Sequence, residues 1–182
     1  MESDLTATVP FSRRRFSHVF VLCTGRCGSV SFAKACGHFS NYTAGHETNR
    51  HPGSARFVYR EAHIEVDNRL AWLLGGLDER YGDDAFYVHL VRNEEQVAAS
   101  YDRRWHHQTS LMRAFDRGIS MHRESVPEAA RDLVATVNAN IRAFLRHKTH
   151  VVSGDIDDVN FWFPAFATAI GAEGDLAAAV AE

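Results

Sequence analysis

Val19-Phe20-Val21-Leu22-Cys23-Thr24-Gly25-Arg26-Cys27-Gly28-Ser29 is an apolar run of strand length that breaks at a glycine and hands over to a helical pattern. Residues 19–23 are rich in β-branched and aromatic side chains, as a buried strand is. From Ser29 the spacing turns helical, with Val30, Phe32, Ala33 and Cys36 on one side and Gly37 as the stop. A second junction repeats the pattern: residues 86–91 form an apolar strand that ends at Arg92, and a helix follows from Glu94 with Ser100 on it. Where a buried strand meets a helix, unpaired N–H groups and the positive helix end point at one small volume and attract phosphate. Residues 24–29 and the pair Arg92 and Ser100 therefore read as two halves of one phosphate clamp. An anionic nucleotide is the expected ligand.

Outward from these junctions, residues 41–44 read as a short strand and residues 45–53 as a polar loop of titratable groups. Residues 57–66 are ambiguous between extended and irregular. Residues 68–81 predict one amphipathic helix with Leu70, Leu73, Leu74 and Leu77 as its core stripe and Asp67 as its N-cap. The helix after Arg92 is expected to run to Trp105, with Glu94 and Glu95 suited to its first turn. A polar connector over 106–125 precedes a long helix from near Pro127 through Leu133, Val137, Ile141, Phe144 and Leu145. Residues 149–153 read as a strand. Residues 161–170 read as an apolar helix ended by Gly171, with Pro164 in its first turn or kinking it. Strands alternating with helices predict an α/β domain around a mostly parallel sheet.

The chain has 182 residues, 45% of them hydrophobic and 24% charged, which suits one globular core. The expected organisation is an N-terminal extension over 1–17 and a single α/β domain over 18–182. A net charge of −3 gives no general affinity for nucleic acid or membrane. Arg13-Arg14-Arg15 has no apolar segment behind it, so neither a signal peptide nor a membrane span is expected, and a cytoplasmic location follows by default. Cys23, Cys27 and Cys36 fit neither zinc hooks nor a disulfide framework and read as reduced thiols. A phosphatase pattern fails, because Ser29 and Ala33 stand where an arginine would follow Cys23 or Cys27. The 11 histidines, His106-His107 among them, fall into no ligand spacing, so no metal is expected. Trp72, Trp105 and Trp162 read as core, as does Phe32.

This arrangement resembles the sulfotransferases that use 3′-phosphoadenosine 5′-phosphosulfate (PAPS), whose fold is a P-loop-like, three-layer α/β domain. In that family a strand runs into a loop of a basic residue, a hydroxyl residue, glycine and a hydroxyl residue that binds the 5′-phosphosulfate; Arg26-Cys27-Gly28-Ser29 stands in that place. The family's second signature, a strand-end arginine and a serine eight positions on that hold the 3′-phosphate, is matched by Arg92 and Ser100. The likeness covers residues 18–105, with a vaguer one over 151–171. Cys27 replaces a hydroxyl residue, Val30 stands where a threonine is frequent, and the Arg-Lys-Gly segment of cytosolic animal members is absent.

The resemblance implies a sulfotransferase that moves a sulfuryl group from PAPS, as co-substrate, to a hydroxyl or amine acceptor. The acceptor is a small molecule or carbohydrate, and a homodimer is possible for so short a chain. Thr24, Gly25, Arg26, Cys27, Gly28 and Ser29 would cradle the phosphosulfate, with Arg26 neutralising charge on the leaving group. A base after the second strand is expected, and Glu47 fills that place. His46 is its rival, followed by Glu61 and His63. Two other readings compete. An ATP-dependent kinase needs Gly-Lys-(Ser or Thr) and an acidic strand end, for which only Asp155 offers itself; a non-catalytic nucleotide-binding module would keep the clamp alone, with Arg13-Arg14-Arg15 and Arg103-Arg104 serving a polyanionic partner or simply solvated.

Overall fold

The structure is a computed structural model that describes residues 15–105, 111–121 and 126–182. The N-terminal residues through Arg14 and the pair His106-His107 lie outside the described residues. The strands are β1 (His18–Cys23), β2 (Thr43–His46), β3 (His63–Val66), β4 (Phe86–Val91) and β5 (Val151–Asp155). All pair in parallel, in the order β2-β3-β1-β4-β5. The two unbroken apolar runs, β1 and β4, lie side by side in the middle, where both faces of a strand are covered.

Among the described residues, α-helices α1 (Ser29–Cys36), α2 (Leu74–Tyr81), α3 (Glu94–Asp102), α4 (Leu111–Phe115), α5 (Val126–Leu145), α6 (Val159–Ile170) and α7 (Leu176–Val180) cover the faces. Side chains alternate across the strands, so Val19, Val21 and Cys23 join one core with Phe32, Phe163 and Phe166. Phe20, Leu22 and Tyr87 join the opposite core with Val97, Tyr101, Leu133 and Ile141. Thus α1 packs on one face and α3 on the other, although β1 and β4, which feed them, are neighbours. Chain direction across the sheet reverses between β1 and β4, and the crevice outside the carboxyl ends of such strands is where α/β proteins take ligands.

Several elements differ from expectation. The strand expected over 41–44 is displaced to Thr43–His46, because Tyr42 donates its hydroxyl to the Phe16 and Ile170 carbonyls and leaves the sheet. Gly45 and His46, read as loop, belong to the strand. The ambiguous 57–66 stretch ends as β3, inserted between β1 and β2. The single helix expected over 68–81 is a 3₁₀ turn (Asn68–Trp72) and α2, broken at Leu73 with φ −129°. Leu70 and Leu77 are buried, while Leu73 and Leu74 are only partly so. Gly76, inside α2, gives room to a neighbour: a Cβ there would lie 2.5 Å from the Phe57 ring. Asp67 caps the turn as expected, accepting from the Arg69 backbone N–H.

The α3 helix ends at Asp102, three residues short of expectation, and β5 runs two residues past the expected strand. Within the expected connector lie α4 and a π turn (Asp116–Ser120). Pro164 sits six residues into α6, and Phe161, read as part of an apolar helix, is 91% exposed. Trp72, Trp105 and Trp162 pack against the cores, Trp162 stacked on Phe32 at 5.6 Å. Among the described residues no helix is long and apolar enough to cross a membrane.

Candidate active site

The loop between β1 and α1 is tightly packed at the carboxyl edge. Gly25, Arg26 and Gly28 all have left-handed backbone, with φ of 76°, 57° and 79°. A Cβ on Gly25 would lie 2.6 Å from Asn68 Nδ2 and 2.7 Å from the Tyr101 hydroxyl, and one on Gly28 would lie 2.6 Å from Ile156 Cγ1. The loop is therefore wedged between the residues after β3, α3 and the segment after β5. Thr24 is buried; its hydroxyl donates to the Gly25 carbonyl, and its own carbonyl accepts from the Tyr101 hydroxyl at 2.6 Å. Cys27 is also buried. A thiol–thiol hydrogen bond holds its pKa down against burial, helped by the N–H groups of Cys27, Ser29 and Gly25, while the same bond pushes the Cys23 thiol up. All three cysteines are free thiols.

The two helix starts at this edge differ. No side chain caps α1, and its first turn carries no acid, so its positive end is unneutralised. At α3 the Asn93 side chain accepts from the Gln96 N–H, and Glu94 and Glu95 occupy the first turn.

Arg26 joins the two halves, donating from Nε to Ser100 Oγ at 3.1 Å. Burial, then the neighbouring guanidinium groups of Arg104 and Arg103, lower its pKa. Arg92 lies at the other end of α3, where its Nε donates to Gln96 Oε1 at 2.9 Å and stands 4.0 Å from Asp157 Oδ1. The structure thus brings Arg26 and Ser100 together and leaves Arg92 with Gln96.

Beside the loop, the end of β2 presents His46 and Glu47. His46 Nε2 shares a hydrogen bond with Ser29 Oγ, the first residue of α1, at 3.0 Å. Glu47 has a left-handed backbone, φ 52°, and its carboxylate acts on the electrostatics of Tyr101 and Arg69. Arg26 and Glu47, two of the candidate residues, thus both hold a conformation costing a non-glycine residue about 1–2 kcal/mol. Glu61 is exposed. His63 lies within β3, stacked against Tyr59, with its ring nitrogens engaged by Thr43 and Glu65 at 2.8 Å each.

Glu65 was not singled out in the sequence. It is fully buried on β3, where burial works to raise its pKa, but hydrogen bonds from His63 and from the Thr48 side chain and backbone prevail and hold it down. This carboxylate anchors Thr48 and so fixes the chain immediately after Glu47. The alternation His63-Ile64-Glu65-Val66 carried that signal. Tyr101 is the other omission, and only its hydroxyl contact with the Thr24 carbonyl reveals its part. Among the described residues no group of three His, Cys, Asp or Glu side chains could hold a metal ion.

No protein-family model matches the chain, and no curated protein matches it in sequence. Among solved structures, it is similar to the sulfotransferase domain from the curacin biosynthetic pathway, with a TM-score of 0.61 and 14% identity over 85% of this chain and 72% of that one. The fold of this chain is sulfotransferase-like: helices on both faces of a five-stranded, all-parallel sheet.

Proposed function

We propose that the protein is a sulfotransferase that moves a sulfuryl group from PAPS to a hydroxyl or amine acceptor. The observation that carries this reading is the hydrogen bond from Arg26 to Ser100, which draws a glycine-bounded anion loop and α3 together over the β1–β4 crevice. The sulfotransferase-like fold supports it from outside the site.

The uncapped start of α1 and the Ser29 hydroxyl meet the 5′-phosphosulfate, and Gly25 and Gly28 let the backbone approach it. Sulfuryl transfer spreads charge over equatorial oxygens with attacking and leaving oxygens in line, so positioning and fixed charge supply most of the rate. The acceptor oxygen or nitrogen forms a bond to sulfur while the bond from sulfur to the 5′-phosphate oxygen breaks. Glu47 takes the acceptor proton, Arg26 neutralises the charge gathering on the phosphate, and 3′,5′-diphosphoadenosine departs.

Thermal melting and transfer assays test this reading. The chain is stabilised more by 3′,5′-diphosphoadenosine than by ATP with magnesium; the reverse order supports a kinase instead. With radiolabelled PAPS and a panel of acceptors, Glu47→Gln lowers transfer by about 10²–10⁴-fold and leaves diphosphate binding intact. Full transfer in Glu47→Gln together with loss in His46→Ala would move the base to His46. Binding without transfer to any acceptor supports the non-catalytic reading.

A further inference from the structure

Resting on the reading of Glu47 as the base, we propose that Glu65 and Thr48 form a latch that holds Glu47 at the end of β2, which makes Glu65 a positioning residue for proton transfer although it lies inside the fold. Glu47 itself shows why a latch is needed. Among the described residues its carboxylate makes no hydrogen bond and no ion pair, and its backbone is left-handed at φ 52°. A residue with a Cβ holds that conformation only where its surroundings impose it. The place of the carboxylate is therefore set by the chain on either side of it.

Both sides are tied. The Glu47 N–H donates to the Val66 carbonyl at 3.0 Å, carrying the β2–β3 ladder one residue further. Thr48 is held at three points. Its N–H donates to Glu65 Oε1 at 2.8 Å, its hydroxyl donates to Glu65 Oε2, and its methyl sits over Gly45, where a Cβ would lie 2.2 Å from Thr48 Cγ2. Glu65 is fixed in turn by His63, whose Nε2 lies 2.8 Å from Oε2 and whose Nδ1 lies 2.8 Å from Thr43 Oγ1 at the start of β2. The latch is thus rooted in both strands, and the turn at Glu47 is caught between its ends.

A fully buried carboxylate is an expensive way to steady a loop. Buried ion pairs add little net stability, and apolar side chains of similar volume usually serve a core as well. Charged hydrogen bonds to a backbone N–H and a hydroxyl do something apolar packing does not: they hold one segment in one place. Position is what the chemistry needs. Proton transfer requires heavy atoms about 2.6–3.2 Å apart, and a displacement of about 1 Å costs about 10²-fold in rate.

Transfer kinetics of the full chain with radiolabelled PAPS and the acceptor panel test the latch against a purely structural role. Thr48→Val removes the hydroxyl and keeps a methyl over Gly45; it lowers kcat about 10-fold, with KM for PAPS, affinity for 3′,5′-diphosphoadenosine and the melting point unchanged. Thr48→Ser, which keeps the hydroxyl, recovers most of that loss. Gly45→Ala pushes the threonine methyl off its seat and lowers kcat in the same way, and adding Thr48→Ser restores part of the rate. In the Glu47→Gln background, Thr48→Val has no further effect, because the latch acts only through the Glu47 carboxylate. A second 10-fold loss in that double variant, or an unchanged kcat in Thr48→Val alone, overturns the latch and leaves the sulfotransferase reading standing. If Glu47→Gln alone transfers at the full rate, or the wild-type chain transfers to no acceptor, the base assignment and the latch fall together.

Discussion

The two strand-to-helix junctions that look alike in sequence are physically opposite. After β1 the chain makes a left-handed loop that leaves the start of α1 uncapped and free of acid. After β4 it enters α3 through an Asn93 cap followed by Glu94 and Glu95, and these acids are engaged by Asn138 and Arg131. The first junction leaves its helix start without a side-chain cap; the second ties one of its N–H groups to Asn93 within the fold. A strand that ends beside a helix is therefore an anion site only where the helix start has been left unsatisfied.

The contrast breaks first on activity. Arg26→Ala lowers sulfuryl transfer by about 10²–10³-fold, as expected for a group facing developing charge, whereas Arg92→Ala lowers it by about 10-fold or less. Equal losses in a PAPS transfer assay would make the junctions equivalent after all.

Backbone packing gives the next effect. Gly25→Ala combines left-handed strain with the collision against Asn68 and Tyr101 and costs about 2–4 kcal/mol of folding stability. Gly53→Ala shares the positive φ of 63° but meets nothing within 4 Å, so it costs about 1 kcal/mol. Denaturant melts of the two variants separate strain from crowding.

Asn93→Ala removes the cap of α3 and costs about 1 kcal/mol in the same melts, with affinity for 3′,5′-diphosphoadenosine unchanged. A loss of that affinity would give the second junction a binding role.

The smallest effect is on pH. His89, buried on β4 with Nε2 against Asn138 Oδ1, has its pKa lowered by burial despite that hydrogen bond. The unfolded chain then binds the proton more readily, so His89 contributes no pH dependence above its ordinary value of about 6.5. Stability falls as pH drops from about 6.5 toward the depressed folded value. Thermal melts between pH 7 and 5 show this slope, and His89→Gln flattens it; an unchanged slope would assign it to other groups.

Much of the fold was legible because its central strands announce themselves. Residues 19–23 and 86–91 are buried on both faces and so apolar at nearly every position, and α5 repeats its apolar stripe over five turns. The β2–β3 region was not legible. Its strands have four residues each, and β3 carries His63 and Glu65 into the interior, where a sequence reading expects apolar residues. The 68–81 stretch misled for a related reason: its leucines have helical spacing, but the chain leaves helical geometry at Leu73, between the 3₁₀ turn and α2.

Sequence alone determined the α/β class, the place of the glycine loop, and the residues presented at the ends of β1 and β4, because strand burial and turn chemistry are local properties. Tertiary structure alone decided that Arg26 meets Ser100, that Arg92 turns to Gln96, and that Glu65 steadies the chain after Glu47. Those pairings join residues of different crossovers or, for Arg92, choose between Gln96 four positions on and Ser100 eight positions on. Only the packed sheet sets which of them come within hydrogen-bonding distance.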